Sequence, residues 1–177
     1  MEIFWRIFVP NWSRPFYRAP VISTATRLRY TQGYLALEMF EAAQRELDAI
    51  DEADRQTAPV LGLQLELEMG AERWSRVVTT ARRLTVTEPK IERAWIALAY
   101  ALRELNRVEE ARATLLAAEP LHGATSALLQ YNLGCYECLL GNLDEARRRL
   151  REAYRLDPAL REGAKGDPDL VSLDREP

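Results

Sequence analysis

The chain has 177 residues, 47% apolar and 29% charged, which suits one folded domain or one short repeat array. Its 24 basic and 27 acidic residues leave a net charge of −3, which argues against a nucleic-acid-binding surface. Two cysteines cannot build a disulfide framework, so a reducing, cytoplasmic location is the expectation.

The N-terminus reads MEIFWRIFVPNWSRPFYRAP. It is dense in aromatics, broken by Pro10, Pro15 and Pro20, and its apolar run is interrupted by Arg6. A membrane-spanning helix needs about 20 apolar residues, so this is not one. A secretory signal would need a longer apolar stretch and a small-residue cleavage site. Residues 1–22 therefore read as a leader. It is a poorly ordered extension, a segment folded back on the domain near Leu28 and Leu35, or an interfacial anchor through Phe4, Trp5, Ile7, Phe8 and Trp12.

From residue 23 the chain repeats itself. The segments LEMFEAAQRELDAI, AERWSRVVTTARRL, LNRVEEARATLLAA and GNLDEARRRLREAY align in chain order. Their opening large apolar residues are Phe40, Trp74, Val108 and Leu143, at steps of 34, 34 and 35. Three residues on stand Ala43, Val77, Ala111 and Ala146. Leu47, Ala81, Leu115 and Leu150 follow, then Ile50, Leu84, Ala118 and Ala153. This 3-4-3 apolar spacing is one face of an α-helix, recurring at nearly constant period. Upstream of each such helix lies another apolar periodic segment. The clearest are AWIALAYALREL, with Trp95, Leu98, Ala99 and Leu102 on one face, and LQYNLGCYECLLG, with Leu133 and Gly134 in the matching places. Turns are expected at Gly70–Arg73, Asn106 and Gly141, and Pro89, Pro120 and Pro158 are expected to end units.

The pattern resembles the tetratricopeptide repeat (TPR) family over roughly residues 24–158. Trp95, Leu98, Ala99, Ala111 and Ala118 carry the resemblance in the third unit. Leu133, Gly134, Gly141, Ala146, Ala153 and Pro158 carry it in the fourth. The first two units depart from the pattern. Arg27 and Tyr30 stand for the usual Trp and Leu, Glu38 for a common Gly, and Gln64 and Leu65 for Leu and Gly. The resemblance implies an all-α fold: a right-handed α-solenoid of about four helix–turn–helix units, near 24–57, 58–91, 92–126 and 127–158. Ala99, Gly134, Ala111 and Ala146 are small because helix axes approach to about 8–10 Å where they cross. An array leaves its last pair with an exposed apolar face. Residues 159–177, with Leu160, Leu170, Val171 and Leu173, are expected to cover that end.

Candidate chemistry is sparse. Cys135 and Cys138 lie one turn apart in the middle of a helix, away from any helix N-terminus that would lower a thiol pKa. The only histidine, His122, falls in an expected turn, so a four-ligand zinc site and a Ser-His or Cys-His catalytic pair lack their parts. No phosphate-cradling glycine motif occurs. The reading is no enzyme, no metal and no cofactor. Arg147, Arg148, Arg149, Arg151 and Arg155 lie off the apolar face of their helix and are expected mainly outside, paired with neighbouring carboxylates.

The resemblance also implies a concave groove lined by the first helices of successive units. By position its lining is Leu28, Leu63, Ile96, Tyr100, Leu128, Tyr131, Asn132 and Cys135. Such a groove suits an extended peptide or an amphipathic helix. The TPR carboxylate clamp for chaperone tails is absent. Asn132 matches one of its positions, but Ile96 and Tyr100 replace the Lys and Asn required before it. The expected function is a non-catalytic scaffold or adaptor binding a protein or peptide. The alternative is a peripheral membrane or assembly subunit held by the leader.

Overall fold

The computed structural model describes residues 22–174. The aromatic leader and the readings placed on it lie outside the described residues, Ile22 excepted. Eight helices run in four pairs: α1 (Thr24–Ala36) with α2 (Phe40–Asp48), α3 (Ala58–Gly70) with α4 (Trp74–Thr87), α5 (Glu92–Glu104) with α6 (Val108–His122), and α7 (Ala127–Leu139) with α8 (Leu143–Leu156). Three short elements follow: α9 (Leu160–Gly163), a 3-10 turn (Pro168–Leu170) and α10 (Val171–Asp174). No strand occurs among the described residues.

Each pair is joined by the same turn. One residue enters the left-handed region: Glu38 (φ 56°), Glu72 (φ 54°), Asn106 (φ 58°) and Gly141 (φ 80°). The next residue's N–H then reaches back to a carbonyl of the first helix. These bonds are Met39 to Tyr34 at 2.9 Å, and Arg73 to Glu68, Arg107 to Leu102 and Asn142 to Glu137 at 2.8 Å. This closure satisfies carbonyls that the end of a helix leaves without a partner. It fits any side chain that tolerates positive φ, and only the last turn uses glycine for it.

The apolar face of the second helices is the buried seam. Ala43, Val77, Ala111 and Ala146 are all fully buried, as are Ala81, Leu115, Ala118 and Ala153. The first helices meet them through Leu98, Ala99 and Leu133. Gly134 is a point of close approach: a Cβ there would lie 2.8 Å from Leu150 Cγ and 3.4 Å from the Ala146 carbonyl oxygen. A larger residue has no room where α7 crosses α8. The core falls into two clusters. One runs from Leu61 through to Leu170, and a smaller one joins Ala43, Leu47, Ile50, Val60, Leu63 and Leu67 beneath α1.

Two expectations need correction. Pro120 does not end the third unit, because α6 continues through it to His122. A proline in the last turn sacrifices one backbone donor, and the turn still closes through Gly123 N–H on the Glu119 carbonyl at 2.8 Å. His122 is therefore the last helical residue, and its Nε2 meets the Pro89 carbonyl at 3.1 Å, beside the Trp95 indole N–H at 2.9 Å. Of the arginines on α8, Arg149 is buried. It pairs with Glu119 of α6, with Glu145 at 2.8 Å, and with the Gln130 side chain of α7 at 3.0 Å. Three helices meet at this guanidinium, and a buried charge is tolerable when its hydrogen bonds are filled in this way.

Candidate peptide-binding groove

The first helices α1, α3, α5 and α7 carry all eight residues expected to line a groove, and six of them border two hollows, Ile96 and Leu128 lying outside both. Leu28 and Leu63 border one of about 320 Å³, together with Gln32, Pro59, Glu66 and Arg93. Tyr100, Tyr131, Asn132 and Cys135 border another of about 440 Å³. Leu128 is 50% exposed and Tyr100 39% exposed, while Ile96 is half-buried against the larger core. Leu63 and Cys135 differ from the expectation of projecting contacts. Leu63 packs into the smaller core cluster and Cys135 is only 3% exposed. Both sit at helix positions turned toward the neighbouring helix, so they floor the hollows and leave the contact to their neighbours. Tyr100 is held in place by an edge-to-face contact with Trp74, with centroids 5.6 Å apart.

One wall of the second hollow is a later piece of the chain itself, Gly163 and Lys165 to Asp169. Residues beyond α8 pack against α7 and α8, and they also cross α7 to reach α5. Asp169 accepts from Arg103 Nε at 2.8 Å and from a second nitrogen of the same guanidinium. Asp167 accepts from the Tyr131 hydroxyl at 2.6 Å and, through its other oxygen, from the Asp169 N–H at 2.9 Å. Leu170 is buried beside them. Arg103, Asp167 and Asp169 were not among the residues expected from sequence. The stretch Asp-Pro-Asp does mark a turn, with Asp167 capping the 3-10 element ahead of Pro168. Its cationic partner, 66 residues upstream, carries no local signal.

Cys135, Asp167 and Asp169 bring ligand-type atoms within 4.8 Å of one another. Their chemistry does not suit a cation. Asp169 is neutralised by a two-pronged arginine pair, the stronger form of such a contact. Asp167 is spent on Tyr131 and a backbone N–H. Burial, and then the Asp167 charge, push the Cys135 thiol up, away from the thiolate that metal binding needs. Burial, and then the bond to Asp167, push the Tyr131 phenol up, so it remains a donor. Burial also raises the Cys138 thiol. The site is a hydrogen-bonded lock between a tail and two helices.

Nothing resembling a nucleophile–base pair is assembled elsewhere among the described residues. Ser126 donates to Glu92 and accepts from Leu129 N–H at 3.0 Å, which makes it the cap of α7. No described helix is long and apolar enough to cross a membrane.

Neither a family profile nor a curated protein matches the chain. Solved structures do. "MamA MSR-1 C2" superposes with a TM-score of 0.69 at 16% identity, covering 81% of this chain and 82% of that one. "MamA AMB-1 P212121" gives 0.68 at 16% identity over 91% and 84% of the two chains. A point mutant of MamA gives 0.67 at 16% identity over 80% and 81%. Likeness at this identity is one of fold, and it agrees with the 34-residue period and the four repeated turns: the chain is a TPR-type α-solenoid.

Proposed function

We propose that the protein is a non-catalytic TPR-type scaffold that binds a protein or peptide along the face formed by its first helices. One observation carries this reading: Tyr100 and Leu128, on consecutive first helices, are large apolar side chains left 39% and 50% exposed. Large apolar side chains presented on rigid helices are the usual anchors of a binding surface. Ile96, Tyr131, Asn132 and Leu28 complete the surface in this reading, with Leu63 and Cys135 beneath it. The titratable groups nearby are engaged in ion pairs and hydrogen bonds, which supports binding over catalysis. The two thiols are free and buried, which suits the reducing, cytoplasmic location of the reading.

The test is a capture experiment with the full chain. Tyr100→Ala combined with Leu128→Ala should abolish retention of a partner that the unaltered chain retains. Arg151→Ala, on the outer side of α8, should leave it intact. Equal retention by all three proteins would place binding elsewhere. Anchoring through the leader concerns residues 1–21, which lie outside those described.

A further inference from the structure

The stretch Asp167–Pro168–Asp169–Leu170 is held as a bound peptide would be. Its two carboxylates meet Arg103 of α5 and the Tyr131 hydroxyl of α7, and its leucine is buried next to them. Arg103 and Tyr131 stand on successive first helices, along the surface assigned to recognition. The elements that carry the stretch have only three and four residues, too short to persist as helices without such contacts. They follow a turn at Gly166, where φ is 83° and the chain reverses toward α7. Leu170 joins the edge of the main core, with Ala164 and Leu173 against it, and a tail held by these contacts and a few polar side chains opens at lower cost than the helical array beneath it. Tyr100 and Leu128 remain exposed with the tail in place, so the tail fills only part of the surface.

We infer that residues 167–170 are an intramolecular occupant of the recognition surface, and that the partner is a protein segment of the same chemistry, which displaces them. This rests on the groove reading above and names its ligand class. That class is two carboxylates two residues apart, the second followed directly by a large aliphatic side chain. Arg103 reads the second carboxylate through its planar fork, Tyr131 donates to the first, and the aliphatic side chain takes the place of Leu170. A tail joined to its own site by a short link competes at high effective concentration. A partner therefore wins by adding contacts that the tail does not make, and Tyr100 and Leu128 offer them.

The experiment uses the full chain and a fluorescent peptide copying residues 165–174, followed by anisotropy. Asp167→Asn with Asp169→Asn weakens the internal tail while keeping Leu170 and the shape of both side chains. This variant should bind the peptide at least about tenfold more tightly than the unaltered chain, because its own tail no longer competes. Adding Arg103→Gln should reverse the gain, and a peptide with both aspartates changed to asparagine should not bind. Thermal melting followed by circular dichroism establishes that each variant is folded. Equal weak binding by the folded variants, or tight binding that survives Arg103→Gln, overturns the inference. So does a dimer of the unaltered chain, seen by light scattering, that Arg103→Gln dissociates, since the occupant would then be the tail of a second copy. If capture through Tyr100 and Leu128 persists while the peptide never binds, the ligand class is wrong and the groove reading stands. If both fail, the groove reading fails with it.

Discussion

At single positions the array is set by which side chains are small. Ala111 and Ala146 leave no exposed surface, and Gly134 has no space even for a methyl group. Gly134→Ala should therefore destabilise the protein by ~1–3 kcal/mol, because Leu150 must leave its position and the Ala146 carbonyl cannot. Ala111→Leu should cost about as much by the same overpacking, whereas Ala113→Leu, on the exposed side of α6, should be close to neutral. Melting temperatures of the three variants decide the matter, and equal shifts would contradict the register. These positions were legible in the sequence because small residues recurred at a fixed place on a periodic face. Arg149 was misplaced for the opposite reason. Its type suggests solvent, and only the convergence of Glu119, Glu145 and Gln130 makes burial tolerable.

At the scale of an element, helix endings show how a strong geometry tolerates weak sequence signals. All four intra-unit turns pass through positive φ, but Glu38, Glu72 and Asn106 occupy positions where glycine would be unstrained. The sequence marks the turns at Gly70–Arg73, Asn106 and Gly141, and shows Glu38 as a departure from the pattern. The structure gives Glu38 the same backbone as the other three. Glu72→Gly should stabilise the chain by up to about 1 kcal/mol, since a left-handed conformation costs a non-glycine residue about 1–2 kcal/mol and glycine's extra unfolded-state entropy returns part of it. Chemical denaturation should show a higher midpoint with an unchanged slope, and a lower midpoint would mean that the Glu72 side chain contributes something the backbone does not reveal. Pro120 makes the converse point. A residue that ends helices in general is accommodated within the last turn of α6, where few backbone bonds remain to be lost.

At the scale of the molecule, units are joined by buried apolar seams and by a few charged ties. The best defined tie runs from α6 to α8 through Glu119, Arg149 and Glu145. Hydrogen bonding to Arg148, and then to Arg149, lowers the Glu145 carboxyl from 4.5 to about 2. The bond to Arg149 lowers Glu119 as well. A carboxyl whose folded pKa is depressed contributes stability that is complete above its unfolded pKa and lost as pH falls through the folded value. Melting temperature should therefore decline as pH drops from about 4.5 toward 2, and Glu119→Gln should shallow that decline while lowering stability at neutral pH. A decline of the same steepness in the variant would show that other carboxylates govern acid stability.

The sequence by itself determined the class of the fold, its period and the buried face of each second helix. Those features depend on apolar residues repeating at helical spacing, and such spacing is a local property that survives in a linear string. It also placed the first helices and named Tyr100, Leu128, Tyr131 and Asn132 on them. Tertiary structure alone decided which of the eight groove residues reach the surface, because burial depends on the neighbouring unit as well as on the helix face. It alone decided that Leu63 and Cys135 lie beneath that surface. It alone brought the tail across α7, with Asp169 on Arg103 and Asp167 on Tyr131, since a pairing between residues 66 and 36 positions apart leaves no periodic trace in either partner.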